Sequence, residues 1–385
     1  MRAAIITHYY KCQNYGGCLQ AYALCRVLNS LSCDAEQLCY DRSSDRPARN
    51  SLPRRLYRRL RKGRRALADL RIRKTLQARE QRMAAFRRDR IPHSGEVYNA
   101  DSITACVDGY DCFITGSDQV WNPASFCPAY GLDFVPSGKR KLSYAASIAR
   151  DSLTETQTAR LSESLRDYAA VSVREERAKA ILQPHVALPI EVTADPVLLL
   201  SAAQWDEICS PRLLEDAYLF CFFLGDSLRQ RELARQYAEA RKLRLVTVPY
   251  LTGHFRSCDR QFGDCVIDSP SPEQFLSLIK HADAVFTDSF HAAAFSVIYR
   301  KQFFAFDRSI GTSMGSRLRS LLALIGAEDR FCDTVEKQNA AWLEALPPLD
   351  YSAAEPRLAG LIQASAAFLS KNIAIGKDQN ENESG

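Results

Sequence analysis

The residues of this sequence that are best suited to chemistry lie in short polar segments, each of which comes after a brief apolar run. Asp288, Ser289 and His291 follow the run 284–286, which is typical of a buried parallel strand. Asp288 or Ser289 can cap the helix predicted after them, which places His291 in its first turn. Open α/β sheets bind ligands at the carboxyl ends of strands, and helix N-termini favour anions. An ordinary strand–helix junction is the alternative.

A second polar segment, 116–123, follows the predicted strand 110–115. Ser117 and Asp118 can hydrogen-bond a sugar hydroxyl, and Trp121 can stack on a sugar ring. The alternative is an Asx-type turn followed by a structural tryptophan. A functional role is favoured because polar and aromatic groups converge at one strand end.

Two further strand ends carry residues suited to an anion. Arg174 follows the predicted strand 169–173, and a guanidinium there suits a carboxylate or a phosphate. A surface ion pair with a neighbouring glutamate is the alternative. Asn14, Gly16 and Gly17 lie between the first predicted strand and a helix, where glycine lets backbone approach a ligand. Tight strand–helix packing explains these glycines equally well.

The elements that position these residues alternate between strand and helix in both halves of the chain. This alternation predicts an α/β fold with two Rossmann-like, doubly wound domains that face each other across a cleft. We place the N-terminal domain at 1–190, with a basic helical insertion at about 42–92, and the C-terminal domain at 191–350. A closing helix at 351–376 and a disordered polar tail at 377–385 complete the prediction.

The basic segment dominates the charge distribution. Residues 42–90 hold nineteen Arg or Lys and four acids, about +15, whereas the whole chain is +6. Basic amphipathic helices fit this pattern and favour peripheral contact with an anionic membrane surface or a diphosphate-bearing acceptor. A nucleic-acid partner is not expected, because Tyr57 is the only interior aromatic before Phe86. A solvated helical insertion is the alternative.

Several protein classes are disfavoured by composition. No apolar run approaches the roughly 20 residues that span a bilayer. The first apolar run near the N-terminus is too short for a signal peptide, because polar residues follow it directly. We therefore expect a cytoplasmic protein, with the inner face of the membrane as a site of association. The thirteen cysteines are scattered without zinc-like spacing, so neither a metal nor a cofactor is expected.

Taken together, the motifs resemble those of the polysaccharide pyruvyl transferase family. The segments that carry the resemblance are 14–24, 114–123 (ITGSDQVWNP), 171–175, 193–200, 287–291 (TDSFH) and 316–322. The resemblance implies two Rossmann-like domains of the glycosyltransferase B type. It also implies transfer of the pyruvyl group of phosphoenolpyruvate to two sugar hydroxyls, which forms a ketal. Arg174 matches the arginine that binds the donor, and Phe290 with His291 matches the donor-site pair, which is Leu-His in many relatives.

These expectations assign roles to the candidate residues. His291 is the predicted general acid and base, with Asp118 and Asp288 as helpers, because histidine can move protons near neutral pH. Arg317 is a candidate second phosphate ligand, and the helix start at Ser289 also favours the donor anion. The predicted partners are phosphoenolpyruvate and a sugar or lipid-linked oligosaccharide acceptor. The alternatives are a sugar-nucleotide-dependent glycosyltransferase and a basic binding protein on a degenerate enzyme scaffold.

Overall fold

The strands of the computed structural model form two parallel sheets. The structure describes residues 1–45, 66–251, 256–308, 315–332 and 339–381. In chain order the strands are β1 (Arg2–Ile6), β2 (Asp34–Tyr40), β3 (His93–Tyr98), β4 (Cys112–Thr115), β5 (Arg140–Ala146), β6 (Ala170–Val173), β7 (Ile190–Val192), β8 (Tyr218–Phe222), β9 (Arg244–Thr247), β10 (Cys265–Val266), β11 (Ala284–Thr287), β12 (Gln302–Phe306) and β13 (Phe331–Cys332).

Helices connect most of these strands, as parallel pairing requires. The α-helices of the described residues are α1 (Tyr15–Ser30), α2 (Ala66–Arg90), α3 (Glu155–Ser164), α4 (Glu176–Leu182), α5 (Ala202–Asp206), α6 (Leu228–Arg241), α7 (Pro272–Lys280), α8 (Phe290–Ile298), α9 (Ser316–Ile325), α10 (Ala340–Ala345) and α11 (Glu355–Glu381). None of them is both long enough and apolar enough to cross a membrane.

In both sheets the order of the strands reverses at a central pair of strands, while all strands remain parallel. The first sheet has the order β3-β2-β1-β4-β5-β6-β7, and the second has the order β10-β9-β8-β11-β12-β13. The strand order therefore reverses between β1 and β4 and again between β8 and β11. Such switch points open a crevice beyond the carboxyl ends of the strands. The prediction of an α/β fold with two doubly wound domains is confirmed.

An apolar core joins the two domains instead of leaving them as separate bodies. Tyr15, at the start of α1, stacks on Phe275 of α7 with ring centroids 4.5 Å apart. Its hydroxyl donates to the Pro270 carbonyl at 2.9 Å. The long helix α11 then returns to the first domain, where Ser365 accepts a hydrogen bond from the Ala194 amide at 2.8 Å. The cleft is thus bounded by packed, buried residues.

Helix α2, which lies within the described part of the basic segment, is part of the fold and not an insertion into it. Because β2 and β3 are parallel neighbours, the residues between them must cross over the sheet, and α2 forms part of that crossover. The buried residues of α2 recur at helical spacing. They are Thr75, Arg79, Met83, Phe86 and Arg87. The solvated-helix alternative is therefore wrong for this helix, while residues 46–65 lie outside the described residues.

Arginines of α2 connect the two domains. Arg79 donates to the Gln13 carbonyl at 3.2 Å and to the Pro249 carbonyl at 3.3 Å. Arg87 donates to the Cys12 carbonyl at 2.5 Å. The helix therefore ties the loop before α1 to the second domain.

Two of the segment boundaries predicted from the sequence differ from those in the structure. The first sheet includes β7 at Ile190–Val192, so the division predicted after residue 190 would cut this strand. Helix α11 continues to Glu381, so residues 377–381 are helical rather than a disordered tail. Polar residues such as Lys, Gln and Glu readily extend a helix that has already been started by packing. Residues 382–385 lie outside the described residues.

Candidate active site at the switch points of the two sheets

His291 lies in the first turn of α8 and packs against the start of α1, so it joins the two domains. Ser289 caps α8 by accepting a hydrogen bond from the Ala292 amide at 3.5 Å. A Cβ atom placed on Gly16 would lie 2.0 Å from Nδ1 of His291, far inside contact distance. Glycine is therefore required for the α1 backbone to approach the imidazole this closely.

Asn14 and Gly17 shape the same loop. The Asn14 side chain caps α1 by accepting a hydrogen bond from the Gly16 amide at 3.0 Å. A Cβ atom on Gly17 would lie 2.6 Å from the His8 carbonyl oxygen. Both residues fix the backbone path that brings Gly16 to His291. Their contact with a ligand stays a prediction.

Asp195 connects the histidine and the arginine of the site, and its side chain is fully buried. Its Oδ2 accepts hydrogen bonds from Arg174 Nη1 at 2.5 Å and from Ser117 Oγ at 3.0 Å. Nε2 of His291 lies 3.5 Å from the same oxygen. Burial by itself would raise the pKa of the Asp195 carboxyl, but His291 and Arg174 lower it below its usual value. The ionised carboxylate therefore orients both partners.

Asp195 is not among the site residues predicted from the sequence. In the sequence, Asp195 looks like an ordinary helix-capping residue. It does cap a short 3-10 helix, because its Oδ1 accepts a hydrogen bond from the Val197 amide at 3.1 Å. His291 is distant in the chain, so no spacing in the sequence links the two residues. The pairing arises when the second domain packs onto the first.

Arg174 lies at the carboxyl end of β6, as predicted, with a side chain only 3% exposed. Its guanidinium lies over the Phe290 ring at 4.3 Å, which gives Phe290 a cation–π contact with Arg174. Nε lies 3.4 Å from Oε1 of Glu175. Nη2 has no hydrogen-bond partner among the described residues. A buried guanidinium nitrogen left free in this way is suited to a ligand oxygen.

Arg317 is a second buried guanidinium near Arg174. When the Gln119 amide is oriented with its oxygen toward Arg317, that oxygen accepts from both terminal nitrogens at 3.2 and 3.3 Å. Burial and the charge of Arg174 lower the pKa of Arg317 to about 10. Nε of Arg317 has no partner in the part of the chain that the structure describes. An anion beside the two arginines would relieve their mutual repulsion.

Asp118 faces this group of cations. Burial alone would raise the pKa of its carboxyl, but four nearby cationic or titratable groups lower it below its usual value. These groups are His291, Arg174, His8 and Arg317. Asp118 therefore lies within electrostatic reach of these groups in its ionised form, and its role as a catalytic helper stays a prediction.

The backbone of Asp118 adopts an uncommon conformation. Its φ is +71°, in the left-handed region, which Asp tolerates better than most residues. The carbonyl of Asp118 accepts hydrogen bonds from the Val120 amide at 2.8 Å and the Ser147 amide at 3.0 Å. These contacts hold a strained residue in place, which is a frequent property of functional sites.

His8 is a second buried imidazole near the site. Its Nε2 lies 3.2 Å from the Gln119 carbonyl oxygen, and its Nδ1 lies 3.4 Å from the Tyr130 hydroxyl. Burial is the largest influence on its pKa and lowers it. Because both nitrogens are engaged, a neutral His8 supports the loop that carries Asp118 and Gln119.

Asp288 is not part of the catalytic group that was predicted. Its two carboxylate oxygens accept hydrogen bonds from the Leu224 amide at 2.6 Å and the Gly225 amide at 2.7 Å. Burial raises the pKa of this carboxyl. Asp288 therefore holds the loop after β8, and the cap of α8 is Ser289.

Trp121 does not present its ring to the cleft. It is 1% exposed and lies in a core on the other face of the first sheet, where its Nε1 donates to the Tyr130 carbonyl at 3.2 Å. The predicted stacking of Trp121 on a sugar is therefore wrong. An indole in a short loop can reach either side of a sheet, and here the ring is buried in the apolar core on the side away from the cleft.

A cavity of about 230 Å³ adjoins the two arginines. Its lining combines charged side chains with Phe290 and several leucines. These include Arg174, Glu175, Asp195, Arg317, Leu198, Leu321, Leu324 and Leu361. Over the described ranges, no group of three or more His, Cys, Asp or Glu side chains is arranged to hold a metal ion. The cavity offers guanidinium nitrogens and carboxylates, and its lining residue Asp195 lies 3.5 Å from Nε2 of His291.

Comparison with solved structures identifies proteins of similar architecture. The UDP-GlcNAc 2-epimerase from Methanocaldococcus jannaschii aligns with a TM-score of 0.52 at 12% identity, over 92% of this chain and 98% of that chain. The glycosyltransferase SnogD from Streptomyces nogalater aligns with a TM-score of 0.48 at 11% identity, over 97% and 99%. At 12% identity the likeness to the epimerase shows the fold alone, which, with the two doubly wound sheets, is of the glycosyltransferase B type.

Sequence comparison is more specific. No match is found among curated protein sequences. The family model described as polysaccharide pyruvyl transferase matches residues 14–310, which include Gly16, Asp118, Arg174, Asp195 and His291. The match covers most of the chain and both sides of the cleft. The chain belongs to the polysaccharide pyruvyl transferase family.

Proposed function

We propose that this protein transfers the pyruvyl group of phosphoenolpyruvate to two hydroxyls of one sugar, forming a ketal and releasing phosphate. The observation that carries the proposal is a set of three buried nitrogens that make no hydrogen bond among the described residues. They are Nη2 of Arg174, Nε of Arg317 and Nε2 of His291, the last of which lies 3.5 Å from Asp195 in an ion-pair contact. Such groups are costly to bury unless a ligand satisfies them.

The two arginines are suited to the charge of the donor. Phosphoenolpyruvate carries a carboxylate and a phosphate, and guanidinium groups bind both strongly. Burial, and next the repulsion from Arg174 in the absence of an anion, lower the pKa of Arg317. Binding of the donor would remove this repulsion. Helix α9, which begins at Ser316 without a side-chain cap, adds a partial positive charge nearby.

His291 is the residue to which we assign proton transfer in the reaction. Ketal formation requires a proton on the methylene carbon of the donor, and a protonated imidazole can supply it. Asp195, 3.5 Å from Nε2, would stabilise the imidazolium. Asp118 can stabilise the positive charge that develops on the central carbon of the donor.

The acceptor we propose is a sugar of a polysaccharide or cell-surface glycan precursor, free or lipid-linked. The test is phosphate release from phosphoenolpyruvate across a panel of acceptor glycans, with detection of the ketal by mass spectrometry. Release that depends on an acceptor supports the proposal. Consumption of a nucleotide sugar with release of nucleoside diphosphate would favour the glycosyltransferase alternative instead.

We also propose that the basic segment holds the protein at an anionic membrane surface. Residues 46–65 contain ten Arg or Lys and no Asp or Glu. Replacing Arg54, Arg55, Arg58 and Arg59 by Gln should weaken binding to phosphatidylserine vesicles, and salt should weaken binding of the wild type. A variant with exposed Arg166 replaced by Gln is the control. Vesicle binding unchanged by the four substitutions would contradict the proposal.

A further inference from the structure

Glu175 is a buried carboxylate that donor binding does not explain. Its Oε1 accepts a hydrogen bond from Ser147 Oγ at 2.5 Å and lies 3.4 Å from Arg174 Nε. Its Oε2 is buried and has no hydrogen-bond partner within the described ranges. Glu175 lines the cavity beside the two arginines, with a side chain only 4% exposed. One oxygen is held in place and the other is free.

The charges of the site make this free oxygen unexpected. Arg174 already has a closer carboxylate partner in Asp195, at 2.5 Å. A further carboxylate beside the arginines reduces the attraction of the site for an anionic donor. The fully ionised donor also has no hydrogen to give, so it cannot satisfy Oε2. The group that can satisfy a buried carboxylate oxygen is a hydrogen-bond donor such as a hydroxyl.

We propose that Oε2 of Glu175 binds an acceptor hydroxyl and removes its proton as that hydroxyl attacks the donor. This inference rests on the proposed function and adds the residue that activates the acceptor. The hydrogen bond from Ser147 and the contact with Arg174 both involve Oε1, so they fix the carboxylate plane while Oε2 remains open. The cavity lining provides the remaining contacts of the acceptor.

The proposed steps balance in atoms and charge. His291 gives a proton to the methylene carbon, the first hydroxyl oxygen bonds to the central carbon, and its proton passes to Glu175. The bond to the phosphate oxygen then breaks, and the Glu175 proton leaves with the phosphate as HPO₄²⁻. The second hydroxyl bonds to the same carbon and returns a proton to His291. The trianionic donor thus yields a monoanionic ketal and a phosphate dianion.

The test uses the full-length Glu175→Gln variant, which keeps an oxygen for the Ser147 hydrogen bond but cannot take a proton. We expect acceptor-dependent phosphate release to fall by about 10²-fold or more. Binding of phosphoenolpyruvate, measured by calorimetry, should be unchanged or tighter because a negative charge is removed. Glu175→Asp should recover part of the rate. Glu191→Gln removes an exposed carboxylate on β7 and is the matched control.

Two outcomes would overturn the role of Glu175. Full phosphate release by the Gln variant would show that no proton passes through this residue. Weaker binding of phosphoenolpyruvate, in proportion to the loss of turnover, would show that Glu175 only supports Arg174. A wild-type protein that releases no phosphate with any acceptor would instead reject the proposed function, and the role of Glu175 with it.

Discussion

Two strand ends at the switch points carry similar residues and use them differently. The β4 end, residues 116–121, and the β11 end, residues 287–291, each place Ser and Asp after a buried strand. At the β4 end, Asp118 faces the cations of the site, which lower the pKa of its carboxyl. At the β11 end, Asp288 accepts two backbone hydrogen bonds, and burial raises the pKa of its carboxyl.

The difference arises from the path of the chain after each aspartate. After β11 the helix begins at once, so Ser289 caps it and His291 enters the cleft from its first turn. After β4 the chain turns through the positive φ of Asp118 and then buries Trp121. The β11 end therefore contributes its histidine and the β4 end its aspartate. Residue type at a strand end does not by itself assign the catalytic group.

Loss of the histidine should have the largest effect, and this loss would identify the β11 end as catalytic. In His291→Ala we expect acceptor-dependent phosphate release to fall about 10³-fold, because both nitrogens of the other imidazole near the site, His8, are engaged. The far-ultraviolet circular dichroism spectrum should be unchanged. His185→Ala, which removes an exposed histidine, should retain full activity. A His291 variant with near-normal turnover would remove the β11 end from the mechanism.

Gly16→Ala should be the next most damaging change. The added Cβ would lie 2.0 Å from His291 Nδ1, so either the imidazole or the start of α1 must move. We expect phosphate release to fall by about 10²-fold, since a displacement of about 1 Å can cost this much. Gly360→Ala is the matched control, because a Cβ there meets nothing within 4 Å. Equal activity of the two variants would contradict the tight packing at His291.

The two aspartates should separate activity from stability. Asp118→Asn removes charge from the cation group, so we expect about 10-fold to 10²-fold slower phosphate release, with a smaller loss of stability than in Asp288→Asn. Asp288→Asn weakens two buried hydrogen bonds, so we expect a loss of about 1–3 kcal/mol in the free energy of unfolding. Denaturant unfolding and turnover, measured on both variants, test this. The reverse pattern would exchange their roles.

The contributions of the two carboxyl groups to stability should also change in opposite directions as the pH rises. The pKa of Asp118 is lowered, so its contribution is present above the ordinary value of 3.8 and is lost as the pH falls through the lowered pKa. The pKa of Asp288 is raised, so its contribution is fully present below 3.8 and is lost as the pH rises through the raised pKa. The difference in unfolding temperature between the wild type and each Asn variant, followed against pH, measures this, because only the wild type titrates at the residue. Curves that change in the same direction would contradict it.

Trp121→Phe should have the smallest effect on catalysis. The indole donates to the Tyr130 carbonyl within the core, so its replacement should cost about 1 kcal/mol of stability. The KM for the sugar acceptor should not change, because the ring does not face the cleft. A rise in that KM without loss of stability would restore the predicted stacking on a sugar.

Much of the fold and part of the site could be predicted from local patterns. Alternating apolar runs and helical segments indicate two doubly wound domains because each pattern reflects burial on a sheet or a helix face. Arg174 and His291 were identifiable because their residue types follow buried strands directly. The motifs also indicated the family, and the match of the family model to residues 14–310 confirms it.

The sequence by itself therefore determined which strand ends carry polar and glycine residues. Only the tertiary structure decided that Asp195 pairs with His291 and Arg174, that Asp288 and Trp121 face away, and that one oxygen of Glu175 remains free. Likewise, the contacts of helix α2, and not its charge, showed that it connects the two domains. The physical reason is that backbone preferences are local, whereas the partner of a buried side chain depends on which distant elements pack against it.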